Sequence, residues 1–213
     1  MSTPHRGVLV TIDGPSGAGK TTAVKGLRVN LARRGFSVYA TTQPSRATLG
    51  EIARHQTETF RGLSLACLVA ADRYHHLETE IRPKRDAGYI VICDRYVASS
   101  YVLQRMDGVP LEFVAALNAE ADVPDLAVIL TTEPAIAAER VARRGPHDRF
   151  HAGIDTSAQE SELYRQAVEQ LGTRGYQFVT IDTNGADAEQ IAQRLGDYVA
   201  ALVDGPGSEP ATA

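Results

Sequence analysis

Between the strand-like run VLVTID and a stretch of good helix formers lies Gly14-Pro-Ser-Gly-Ala-Gly-Lys-Thr21, and no other feature of the chain restricts its fold so sharply. The pattern is G-x-x-x-x-G-K-[ST], set directly after a strand and before a helix. In that context the glycines let the backbone wrap so that its N–H groups point inward at phosphate oxygens. The helix that follows adds the positive end of its dipole. Gly14, Ser16, Gly17, Ala18, Gly19, Lys20, Thr21 and Thr22 are therefore expected to hold a triphosphate such as ATP. Lys20 is the point charge that reaches the β- and γ-phosphates, and the Thr21 hydroxyl suits a Mg²⁺ ligand.

A loop of this kind needs a sheet to carry it. Five short apolar runs read as strands: Val8–Ile12, Ser37–Thr41, Tyr89–Cys93, Leu126–Leu130 and Gln177–Ile181. All but the second are nearly continuously apolar, the pattern of parallel strands covered on both faces. Helix-like stretches separate them: Thr21–Gly35, Leu65–Arg82, Pro110–Ala121, Pro134–Arg144, Ser157–Gly172 and Ala186–Leu202. Alternating strands and helices predict βαβ units in a doubly wound α/β sheet. One domain is expected over residues 1–204. Residues 144–153, RGPHDRFHAG, read as a mobile loop, and the Pro/Gly-rich residues 205–213 as a disordered tail.

The formal net charge of −4 argues against a broad nucleic-acid interface, which needs a basic face. No apolar run approaches the ~18 residues of a membrane span. With no secretory leader in MSTPHRG, the expected location is the cytoplasm. Cys67 and Cys93 both sit in apolar runs and read as buried, reduced thiols.

A Mg²⁺–triphosphate site also needs a carboxylate at the end of a neighbouring strand. Asp94 ends the run YIVIC, and Asp13 ends the first strand beside the loop. Two phosphorylated substrates repel each other, and the transition state spreads negative charge over equatorial oxygens. Planar multi-donor cations therefore suit such a site. Arg140 sits near the end of a helix-like run, where a cation also complements the dipole. Arg73 shares a helix face with Val69, so it must reach solvent or find a partner, such as Glu78, Asp94 or a ligand.

Several motifs fall in order: GPSGAGKTT (14–22), TTQPS (41–45), LGE (49–51), AADR (70–73), ICDRYVASS (92–100) and HDRF (147–150). Their order and spacing resemble the thymidylate kinase family over roughly residues 7–200. The resemblance implies a P-loop NTPase fold, three-layered, with a five-stranded parallel sheet in the order 2-3-1-4-5. It implies ATP, Mg²⁺, a nucleoside monophosphate acceptor, a homodimer, and a lid over about residues 143–153. Carried over residue by residue, Lys20, Arg95, Arg149 and Asp94 are the catalytic set, and Thr21 and Asp94 flank the metal. Arg95 takes the acceptor phosphate and Arg73 the acceptor base, Arg140 stacks on adenine, and Arg149 is the lid arginine. Asp13, Arg46, Val69, Ser99, Ser100 and Gln104 complete the expected acceptor site.

Five departures bear on the acceptor. Val69 stands where the family usually has an aromatic residue that stacks on thymine. Leu103 stands at the position of a tyrosine that screens against a ribose hydroxyl. Ser16 replaces an acidic residue of the loop, Gln43 a glutamate, and Thr131 an aspartate. Thymidylate, giving dTDP, is the leading acceptor on this resemblance, with another or modified pyrimidine nucleotide as the alternative. A nucleoside kinase using Asp13 as base, and a P-loop switch with no acceptor, stay open as well.

Overall fold

The computed structural model describes residues 7–144 and 153–204. Arg149, most of the expected lid and the tail from residue 205 lie outside the described residues.

Five strands form one all-parallel sheet: β1 (Val8–Asp13), β2 (Val38–Thr42), β3 (Ile90–Asp94), β4 (Leu126–Thr131) and β5 (Phe178–Asp182). Their spatial order is β2-β3-β1-β4-β5, the order the family resemblance implies. Each begins within one residue of the expected run. The alternation along a strand explains why these runs are apolar throughout. Leu9, Val91, Cys93, Ala127 and Ile129 enter one core, beneath residues such as Leu77, Tyr101, Tyr164 and Leu171. Val8, Val10, Ile12, Ile92, Val128 and Leu130 enter the other, beneath Leu27, Leu31, Leu195 and Val199. β1 is buried along its whole length, whereas the edge strand β2 is only partly covered.

The helices are α1 (Lys20–Arg33), α2 (Thr48–His55), α3 (Gly62–His76), α4 (Arg82–Asp86), α5 (Val97–Met106), α6 (Leu111–Leu117), α7 (Pro134–Arg144), α8 (Gly153–Gly172) and α9 (Ala188–Asp204). The single helix expected over Leu65–Arg82 is in fact α3 and α4 joined by a π-helical turn at Leu77–Ile81, with Pro83 in the first turn of α4. Two helices that the sequence reading did not anticipate, α2 and α5, flank the site. No helix among the described residues is long and apolar enough to cross a membrane.

One expectation about the cysteines is corrected. Cys93 is buried in β3, but Cys67 is exposed. On α3 the buried positions are Leu65, Ala66, Val69, Ala70, Asp72, Arg73 and His76, and the helical period turns Cys67 away from that face.

Candidate active site

In an open parallel sheet, ligands bind beyond the carboxyl ends of the strands, where the connections diverge to either side. Here that place is the end of β1, with β3 on one side and β4 on the other. A cleft of about 670 Å³ opens there, within the range of small-molecule sites.

The loop Gly14–Gly19 is wedged against its neighbours. At Gly14 (φ 142°) a Cβ would fall 2.3 Å from the Leu130 carbonyl oxygen, and at Gly17 (φ 83°) 2.6 Å from that of Ala137. Both positions thus exclude any side chain, on backbone angle and on space. The Ala18 N–H donates to the Pro15 carbonyl at 3.1 Å, closing the turn. Lys20 Nζ donates to the carbonyls of Gly14 (2.7 Å) and Pro15 (2.9 Å). Burial, aided by the Arg95 charge, pushes the Lys20 ammonium down to about 7, against the opposing pull of Glu160, Asp94 and Asp13.

At the mouth of the loop, Thr21 Oγ1 donates to Asp94 Oδ2 at 3.0 Å. One hydroxyl and one strand-end carboxylate are hard oxygen donors. They fit Mg²⁺, which takes few protein ligands and completes its octahedron with water and phosphate oxygens. Arg95 follows at once with φ 70°, the only non-glycine residue in the left-handed region among the described residues. Its N–H donates to the Ile12 carbonyl at 2.9 Å, and its guanidinium lies 3.5 Å from Ser99 Oγ. Burial works against the Arg95 charge, but the acidic groups around it, Tyr164, Glu160, Asp94 and Asp13, outweigh burial and raise its affinity for the proton.

Asp13 lies beneath this surface. Its Oδ1 accepts from the N–H groups of Tyr96 (2.9 Å) and Ser99 (3.0 Å) and from Ser99 Oγ (2.6 Å). Ser99 Oγ also lies 2.9 Å from the Tyr164 hydroxyl. This corner ties β1, α5 and α8 together. Burial pushes the Asp13 carboxyl up despite those hydrogen bonds.

Farther along the cleft, Arg73 is buried at 2 % exposure. Its partners are not Glu78 or Asp94. It donates to Gln43 Oε1 (2.8 Å), Ser100 Oγ (2.9 Å), the Tyr96 carbonyl (3.2 Å) and Asn118 Oδ1, with its charge over the Tyr96 ring at 5.4 Å. Gln43 Nε2 lies 3.3 Å from His76 Nδ1, and His76 Nε2 lies 2.8 Å from Glu80 Oε1. A chain of polar contacts thus runs from the surface to Arg73. Val69 and Leu65 form an aliphatic wall, with Leu103 against it. Gln104 is 6 % exposed, lines the cleft, and its Oε1 has no hydrogen-bond partner among the described residues.

Of the residues singled out in the sequence, Ser16, Gly17, Gly19, Lys20, Thr21, Thr22, Arg46, Val69, Arg73, Asp94, Arg95, Ser99, Ser100 and Gln104 all line this one cleft. Gly14, Ala18, Asp13 and Arg140 stand behind it. Arg140 donates to the carbonyls of Gly17 (3.1 Å) and Thr183 (3.3 Å), bridging the loop to the segment after β5.

Sequence reasoning missed Asn118, Tyr164 and Glu160. The signal for Glu160 was present. Ser157, Glu160, Tyr164, Ala167 and Leu171 recur at spacings of three and four and are all buried. A glutamate on that stripe occupies a place that helical patterning reserves for an apolar side chain.

The comparisons with known proteins agree with this geometry. The family profile described as Thymidylate kinase matches residues 12–194. A probable thymidylate kinase of Staphylothermus marinus is 37% identical over 183 residues, covering 84% of this chain and 88% of its own. The thymidylate kinase of Clavibacter michiganensis is 33% identical over 206 residues, covering 92% and 96%. That of Caldicellulosiruptor saccharolyticus is 31% identical over 179 residues, covering 76% and 87%.

Proposed function

The chain belongs to the thymidylate kinase family, and on that premise we propose that it transfers the γ-phosphate of ATP to the 5′-phosphate of thymidylate, giving dTDP and ADP. The observation that carries the choice of base is Gln104. Its side chain lines the cleft, and its amide offers one donor and one acceptor to the edge of a pyrimidine. Thymine or uracil meets such an amide with N3–H and O4, and cytosine with the reverse pair. The aliphatic wall of Val69 and Leu65 suits a methyl-bearing pyrimidine edge.

ATP enters with its triphosphate in the loop Gly14–Thr22, and Arg140 stands at the adenine side. Thr21 and Asp94 would hold Mg²⁺, which neutralises charge on the β- and γ-phosphates when bound. Arg95 places the acceptor phosphate, with Arg46 at the rim. Arg149 is assigned to the γ-phosphate from its motif alone. Positioning and charge neutralisation carry the reaction, and no strong base is required, because the attacking phosphate oxygen is already anionic. That agrees with the state of Asp13, whose Oδ1 already accepts three hydrogen bonds from the chain itself. A hydroxyl acceptor would need that carboxylate as base.

The enzyme is assigned to the cytoplasm, a reading supported by the lack of any helix among the described residues long and apolar enough to cross a membrane. As a family member it is assigned as a homodimer, and α3, which exposes Leu63 and Cys67, offers an apolar face for the second copy. Sedimentation would report the dimer directly.

The test is ADP formation across all common ribo- and deoxynucleoside monophosphates, with thymidine alongside. The highest kcat/KM is expected with dTMP. A higher value with dCMP or with thymidine would overturn the reading.

A further inference from the structure

The loop GPSGAGKTT contains no acidic residue. The fold nevertheless delivers a carboxylate to it from a distant helix. Glu160 of α8 is buried at 1 % exposure. Its Oε2 accepts the Ser16 backbone N–H at 2.9 Å, and its Oε1 lies 3.4 Å from the Ser16 hydroxyl. The electrostatic influence of Glu160 reaches two cations of the cleft, Lys20 and Arg95.

The surroundings specify what such a group does. The Ala18 N–H closes the turn from within on the Pro15 carbonyl, and Lys20 closes it from the cleft on the carbonyls of Gly14 and Pro15. Ser16 is the outer edge of that turn, and Glu160 holds it there. The amide of a turn residue is free to rotate with its peptide plane, so an acceptor fixed on a rigid helix sets the direction of the neighbouring N–H groups as well. A carboxylate also accepts from an N–H more strongly than a neutral group does.

We propose that Glu160 is a positioning residue of the phosphate cradle, fixing the Ser16 edge of the loop so that the following amides and Lys20 meet the β-phosphate in the right orientation. It acts on the nucleotide half of the site and not on the acceptor half. The inference rests on the kinase reading above, but its main readout does not depend on the acceptor.

Two variants of the full chain test it. Glu160→Leu places an apolar side chain on the buried stripe of α8, so the helix keeps its packing while the loop loses its acceptor. Glu160→Gln keeps an oxygen that can accept from the Ser16 N–H. Titration calorimetry with MgADP reads the cradle alone, and steady-state kinetics with ATP and dTMP varied in turn read the two halves. Glu160→Leu is expected to weaken MgADP and raise the ATP KM about tenfold, the scale of one charge-assisted hydrogen bond. The dTMP KM should stay within about twofold, and Glu160→Gln within about threefold of wild type throughout, since one neutral acceptor remains. Unchanged MgADP affinity in Glu160→Leu would overturn the proposal. So would a glutamine variant as weak as the leucine one at equal Tm, or a dTMP KM that rises in step with the ATP KM. Wild-type protein that binds MgADP but leaves dTMP untouched would instead overturn the acceptor assignment and leave this inference standing.

Discussion

Arg73 Nε donates to Gln43 Oε1 over 2.8 Å, so a buried guanidinium is held here by an amide and not by a carboxylate. Its other acceptors, Ser100 Oγ, Asn118 Oδ1 and the Tyr96 carbonyl, are neutral too. The fork is fixed in orientation while its charge stays available to an electron-rich ligand edge. Arg73→Lys keeps the charge but loses the planar fork. The acceptor KM should rise about tenfold or more and the ATP KM should move less than about threefold, because three of the four orphaned acceptors, on Gln43, Tyr96 and Ser100, border the cleft. Steady-state kinetics with each substrate varied will check the split, and equal changes in both would mean Arg73 only holds the fold.

Lys20 gives a pH prediction. Its ammonium is pushed down to about 7 in the empty cleft, from 10.5 in an exposed lysine. Between those values the unfolded chain holds the proton and the folded one has lost it, so this residue makes stability rise with pH across that window and contributes no such slope below it. A bound triphosphate restores the charge. At pH 8, MgADP binding should therefore take up close to one proton, and affinity should fall as pH rises above about 7. Calorimetry in buffers of different ionisation enthalpy measures the uptake directly, and none in wild type would defeat the assignment. The Lys20→Ala variant should show no uptake and no measurable turnover.

Gln104 separates stability from function. Its Oε1 is buried without a partner among the described residues, a cost of about 1 kcal/mol or more. Gln104→Met removes that cost at similar volume. The variant should melt slightly higher than wild type while its dTMP KM rises about tenfold, the loss of one ligand hydrogen bond. Thermal unfolding and kinetics on the same preparation decide it, and a lower Tm would show that Gln104 serves the core.

Asp94 and Thr21 predict a metal-specific defect. Asp94→Asn leaves the 3.0 Å contact with Thr21 possible but removes the charge. The Mg²⁺ concentration for half-maximal activity should rise about tenfold, while ADP binding measured with EDTA stays as in wild type. A defect that persists unchanged at saturating Mg²⁺ with a normal half-maximal point would contradict the metal role.

The sheet was legible because burial on both faces leaves strands such as VLVTID and LAVILT with no polar alternation to confuse the reading. The nucleotide half was legible for a related reason, since a phosphate cradle is local in sequence. The acceptor half was legible only through the family resemblance, which named residues such as Arg73, Ser100 and Gln104 but not the helices or the partners that hold them. α5 carries Val97, Val102, Tyr101 and two serines, poor helix formers, and is buried on nearly every side, so neither propensity nor a polar face announces it. α2 is short and contains Gly50. The partners of Arg73 come from three separate segments of the chain, and no spacing rule joins Gln43 to Asn118. Glu160 alone left a trace, as a charge on an apolar stripe.

Arg95 sits at φ 70°, where a side chain costs about 1–2 kcal/mol and glycine costs nothing. Selection for a durable fold alone would have put glycine there. The chain instead tolerates a bent backbone at the tip of β3 to aim a guanidinium, so Arg95→Gly would relax the backbone and leave an idle cleft. Backbone ease and the placing of a charge are set against each other at a single residue.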